Sequence, residues 1–158
     1  VSVSLGGLQA EVIDVPGHTL GHIAYHMPQQ TTAFVGDALF ALGCGRVFEG
    51  DMAMMWESLT RLKTLPPETV IYCAHEYTQA NARFAETVDP GNAALLAYVA
   101  EIDAKRAKGE WTVPTSIGRE LETHPFQRAD DAALQAAMGH AGAAVATYAE
   151  IRGRKDRF

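Results

Sequence analysis

Two imidazoles, a carboxylate and a third imidazole stand where apolar runs give way to loops. His18 and His22 lie in Val-Pro-Gly-His-Thr-Leu-Gly-His over residues 15–22, a Pro/Gly loop directly after an apolar strand. Asp37 ends the next apolar run in Phe-Val-Gly-Asp-Ala, and His75 ends the one after it, behind Thr-Val-Ile-Tyr-Cys-Ala. Imidazole nitrogen and carboxylate oxygen are donors that zinc and iron sites prefer, and catalytic sites leave one position open for water. A carboxylate has two oxygens to offer, so Asp37 is the candidate bridge between two cations. His22 follows His18 by four residues, a spacing that makes a ligand pair only on a helix. In this loop it is read as a residue that orients its neighbours. Each residue taken singly has an ordinary structural explanation, a hydrogen-bonded loop histidine or a turn aspartate. His26, His124 and His140 keep that ordinary reading. Three candidates at successive strand ends are what point to a metal-centred site on one edge of a sheet.

The elements that must position them alternate. Ala10–Val15, Ile23–Met27 and Thr32–Val35 are short, rich in Val, Ile, Tyr and Phe, and bounded by Gly, Pro or Gln, which reads as strands. Met52–Leu65 carries Met55, Leu59, Leu62 and Leu65 at helical spacing and is stopped by Pro66-Pro67. Thr69–Ala74 is a continuous apolar strand of the kind buried on both faces, and Thr78–Val88 reads as a helix. After Asp89-Pro90-Gly91-Asn92 the character changes. Ala93–Lys108 is an amphipathic helix, Asp130–Met138 and Ala143–Ile151 are further helices, and no strand is expected beyond Asn92. The expected organisation is an α/β part over residues 1–90 and a helical part over 91–158.

Composition narrows the function classes. A chain of 158 residues with 47% hydrophobic and 20% charged residues is an ordinary globular protein. Its net charge of −6 gives no general attraction to nucleic acid or to an anionic membrane, and no apolar run is long enough to span a bilayer. Cys44 and Cys73 are too few for a disulfide scaffold, and unpaired thiols suit a reducing cytoplasm. No serine or cysteine sits in a triad pattern, so covalent catalysis is not expected.

The stretches PGHTLGH (16–22), FVGDALFALGCGRVFEGD (34–51) and YCAHEYTQANARFA (72–85) resemble the glyoxalase II, or hydroxyacylglutathione hydrolase, family of the metallo-β-lactamase superfamily. VPTSIGRELETHPFQR (113–128) and IRGRKDRF (151–158) resemble that family's C-terminal helical domain. The resemblance implies an α/β fold, the second half of an αββα sandwich followed by the helical domain. It implies that His18 binds one metal, Asp37 bridges two, and His75 binds the second. The cofactor is then two divalent ions, zinc favoured, with iron or manganese the alternatives. It further implies glutathione recognition through Arg46, Phe48, Tyr77, Arg152 and Lys155. Arg152 and Lys155 share a helix face, and arginine can grip a carboxylate in a bidentate fork. Phe48 stands where the family often has Tyr, and His124 where it usually has Asn.

The implied reaction is hydrolysis of S-lactoylglutathione to lactate and glutathione, as in methylglyoxal detoxification, by metal-activated hydroxide. The family's upstream Thr-His-x-His-x-Asp-His motif is absent. Together with a first residue that is Val rather than Met, this leads to the expectation of a C-terminal portion. Such a portion is expected to be inactive alone, with a sheet edge and an apolar face awaiting the missing half-domain. Two other readings stand beside this one. The first is a glutathione persulfide dioxygenase of the same superfamily, and the second is a non-catalytic half-domain that binds a partner or a thiol ligand.

Overall fold

The computed structural model describes residues 1–158. Six strands form one sheet in chain order: β1 (Ser2–Leu5), β2 (Leu8–Asp14), β3 (Ile23–Met27), β4 (Thr32–Gly36), β5 (Val70–Cys73) and β6 (Thr115–Ser116). Neighbours are antiparallel except β4 and β5, which run parallel. The parallel pair is joined through α1 (Met52–Lys63), as such a crossover requires. Since β2 and β4 both oppose β3, and β5 follows β4, the strands β2, β4 and β5 all point the same way. Their C-terminal ends therefore open on one edge, and His18, Asp37 and His75 stand just beyond those three ends.

The remaining helices are α2 (Thr78–Val88), α3 (Ala93–Ala107), α4 (Ile117–Thr123), α5 (Ala132–Ala137) and α6 (Ala144–Arg157). Several start where a side chain takes up an orphan N–H: Asp51 accepts from Met54, Asn92 from Leu95, and Asp131 from Leu134. The main core lies between the helices and one face of the sheet. Ala24, Ala33, Val35 and Ile71 from the strands meet Met55, Leu59, Phe84, Phe126 and Tyr148. A smaller cluster of Leu42, Ala82, Leu95, Val99 and Ile102 joins α2 and α3 to the loop after β4. Each large aliphatic side chain so buried contributes roughly 1.5–3 kcal/mol relative to exposure.

The expected strands and helices are present, most with small shifts, and Thr78–Val88 matches to the residue, whereas the last helix runs on to Arg157 instead of ending at Ile151. Among the strands and α-helices, three elements were not expected. These are β1, whose residues are all exposed, the two-residue β6, and α4. The strand β6 also overturns the expectation of no strand beyond Asn92. One further expectation fails. The strand within Thr69–Ala74 is not buried on both faces, because helices cover the sheet on one side only. Ile71 is fully buried while Tyr72, next along, is 44% exposed.

Candidate active site

The loop after β2 is closed on itself and pinned from three sides. The Val15 N–H bonds the His22 carbonyl, Ser58 Oγ donates to the Pro16 carbonyl, and the Leu20 N–H reaches Glu49 Oε2 at 2.8 Å. His18 Nδ1 donates to the Arg46 carbonyl at 2.8 Å. That bond fixes the tautomer and leaves Nε2 with a free lone pair, the state a metal-binding imidazole needs. His22 Nε2 accepts the backbone N–H of Asp37 at 3.1 Å, so this ring orients the carboxylate's backbone, as its loop position suggests. Gly36 is required beneath it: its φ is +54°, and a Cβ there would stand 2.7 Å from His22 Nε2.

His75 follows β5, and its Nε2 lies 3.1 Å from Asp37 Oδ1. The two imidazoles are each flanked by an exposed ring. Phe48 tilts against His18 at 5.1 Å between centroids, and Tyr77 stacks on His75 at 4.6 Å. Burial pushes the Cys44 and Cys73 thiols above their ordinary pKa, which keeps them protonated.

A basic arm faces this group. Arg46 is largely exposed, while Arg152 is 3% exposed and donates to the Cys44 carbonyl and to Asp156. Burial first, and then the charges of Arg152 and Arg46, hold Lys155 below the usual lysine value. One cavity of about 560 Å³ is lined by His18, Asp37, His75, Arg46, Phe48 and Tyr77 together with Arg152 and Lys155. All eight residues singled out in the sequence thus meet in one place, although Arg152 has its guanidinium already engaged.

The donor set is the right kind for a divalent cation, two imidazoles and a carboxylate in reach of one cavity. It is short in number, since no group of three or more His, Cys, Asp or Glu side chains is close enough to hold an ion. Sequence reasoning missed Asn81, Glu120 and His124, which shape the cavity from behind. Nothing in local pattern marks them, because their partners are 40 to 81 residues distant.

Comparison with known proteins places the chain in a family. Residues 76–158 match the hydroxyacylglutathione hydrolase C-terminus family, and residues 2–75 match the metallo-beta-lactamase superfamily. The chain belongs to the hydroxyacylglutathione hydrolase family. A hydroxyacylglutathione hydrolase of Hyphomonas neptunium is 66% identical over 99% of this chain and 61% of its own length. The chain spans about three fifths of the length of the curated relatives it matches. Among solved structures, ETHE1 from Myxococcus xanthus superposes with a TM-score of 0.60 at 28% identity. That superposition covers 97% of this chain and 48% of ETHE1. TTHA1623 in a di-iron-bound form gives 0.51 at 27% identity, over 78% of this chain and 44% of that one. Membership in the superfamily implies divalent metal ions. No helix is long and apolar enough to cross a membrane.

Proposed function

We propose that this cleft hydrolyses glutathione thioesters, with S-lactoylglutathione giving lactate and glutathione. His18, Asp37 and His75 hold part of the coordination of two divalent cations. The rest comes from the portion of the family's length that this chain does not span. Zinc is the first choice and iron the second, the latter in view of the di-iron relative. Bound cations supply Lewis acidity at the thioester carbonyl and a nucleophilic water near neutral pH. The chain's own residues do the rest. The His18 tautomer presents Nε2, His22 holds the Asp37 backbone, and Asp37 stands between the two imidazole donors. Lys155 and the largely exposed Arg46, whose Nε lies 3.9 Å from Asp156, are the arms for the two carboxylates of glutathione, and Arg152 adds charge while bracing the loop. Phe48 and Tyr77 wall the cavity beside the imidazoles. The leaving thiolate departs without a protein acid.

The observation that carries this reading is the meeting of the imidazole–carboxylate set and the basic arm in one cavity. We place the two functional parts at residues 1–90 and 91–158, and the reaction in the cytoplasm, where the unpaired Cys44 and Cys73 remain reduced. The helical tail speaks against the persulfide dioxygenase reading, since it matches the hydrolase C-terminus family over its whole length.

The test is thiol release from S-lactoylglutathione by the protein as its host makes it. Turnover is expected, abolished by chelation and by Asp37→Ala, which also loses metal. Lys155→Ala should raise KM several-fold with kcat nearly unchanged, the signature of lost uniform binding. Retained metal and turnover in Asp37→Ala would remove that residue from the site. Oxygen uptake with glutathione persulfide, without thiol release, would replace the hydrolase by the dioxygenase.

A further inference from the structure

Residues 38–45 form a loop, yet every one of them is buried. A buried loop must find partners for its backbone N–H and C=O groups outside any ladder. Here four consecutive residues find them in four side chains from farther along the chain, each itself at least nine-tenths buried. Asn81 Nδ2 donates to the Ala41 carbonyl at 3.1 Å. The Leu42 N–H donates to Glu120 Oε2 at 2.8 Å. His124 Nε2 donates to the Gly43 carbonyl, and Arg152 Nη1 to the Cys44 carbonyl, both at 2.8 Å. Leu42 sits at φ +58°, a conformation leucine rarely adopts, so the turn is held against its own preference.

The loop's two ends are the site. The Gly45 N–H bonds the Asp37 carbonyl at 3.0 Å, and the next carbonyl, that of Arg46, receives His18 Nδ1–H. The approach is close enough that a Cβ on Gly45 would fall 2.3 Å from the Asp37 carbonyl oxygen and 2.9 Å from His18 Nδ1. Whatever fixes residues 41–44 therefore fixes the acceptor that sets the His18 tautomer.

We propose that Glu120, supported by Asn81, His124 and Arg152, is a positioning residue: by accepting the Leu42 N–H it holds the 41–44 turn, and through the Arg46 carbonyl it holds the His18 ring with its proton on Nδ1. Glu120 touches no reacting atom, and its second oxygen is occupied by Thr115 Oγ1 at 2.7 Å. The role assigned to His18 rests on the hydrolase reading above, whereas the turn and the tautomer can be measured without substrate or metal.

Two measurements on the full protein, metal removed, test it. Amide exchange should show Leu42 opening only with global unfolding, and the imidazole ¹⁵N shifts of His18 should report a single tautomer protonated on Nδ1. Glu120→Gln keeps an acceptor for Leu42 and should preserve both. Glu120→Ala should speed Leu42 exchange by about ten- to a hundredfold, the consequence of an unsatisfied buried donor, and give His18 a mixed tautomer. A change in overall stability alone would leave the tautomer untouched. If Glu120→Ala does not fold, the unmodified protein still decides: fast local exchange at Leu42, or a mixed His18 tautomer, overturns the assignment. So does a folded Glu120→Ala in which His18 is unchanged. Absence of thioester hydrolysis would overturn the hydrolase reading and leave these two measurements standing.

Discussion

The two faces of the sheet are built from the same strands and have opposite fates. On one face Ala24, Ala33, Val35 and Ile71 are small or aliphatic and fully buried beneath the helices. On the other, the register aligns Val12, Tyr25, Phe34 and Tyr72 in one row across four strands. The three aromatic rings of that row are 39–46% exposed, and Phe34 stacks on Tyr72 at 5.3 Å. Val3, Leu5 and Leu8 extend the open apolar surface. A face this rich in large apolar residues has the composition of a surface that gets covered. The lesson is that period-two patterning tells which residues share a face, while only packing tells whether that face is dry.

The contrast can be broken at the covered face first. Ile71→Ala should destabilise by about 2–5 kcal/mol, as core truncations do, read by urea unfolding. A loss below about 1 kcal/mol would mean that the helices do not seal this face.

The next effect concerns two buried groups behind the covered side. Burial raises the Glu120 carboxyl to about 7 from 4.5. The folded state therefore holds a proton that the unfolded chain has lost, and stability falls as pH rises from about 4.5 to 7. Burial lowers His124 to about 4 from 6.5, outweighing the bonds to backbone groups such as the Gly43 carbonyl that favour its charged form. There the unfolded chain binds the extra proton, so stability rises with pH between about 4 and 6.5. Each swing is on the order of 3 kcal/mol, and over most of that window the two oppose each other. Unfolding curves across pH should accordingly show Glu120→Gln gaining stability from pH 4 to 6.5, and His124→Asn losing it from pH 4.5 to 7. Parallel profiles for both variants would refute the offset.

The smallest effect belongs to the open face. Phe34→Ser should change unfolding free energy by less than about 1 kcal/mol while reducing apolar dye binding and self-association. A core-sized loss of stability at Phe34 would erase the distinction between the faces.

Much of this was legible in the chain. Gly, Pro and Asp punctuate the strands, so His18, Asp37 and His75 announce themselves at strand ends, and the GCGRVF and HEY stretches supply Arg46, Phe48 and Tyr77. The one-sided burial of β5 was not legible, because TVIYCA looks the same whether or not a second layer lies on it. Glu120 was hidden for a different reason. A glutamate in the first turn of a helix reads as an exposed capping charge, and only a partner at residue 42 shows otherwise. His124 carried the ordinary reading of a core histidine, which it is, yet the carbonyl it bonds belongs to the loop that shapes the site.

The bracing of residues 41–44 also sets an order of events during synthesis. Its four side chains lie 40, 78, 81 and 108 residues downstream of the groups they bond. At a translation rate of about 5–20 residues per second, the Cys44 carbonyl waits on the order of 5–20 s for Arg152 to emerge. A nascent chain arrested before α6 can pair β2 through β5 and still lack the contact that completes this loop. The segments that carry His18, Asp37 and His75 thus emerge well before the helix that decides when they are ready.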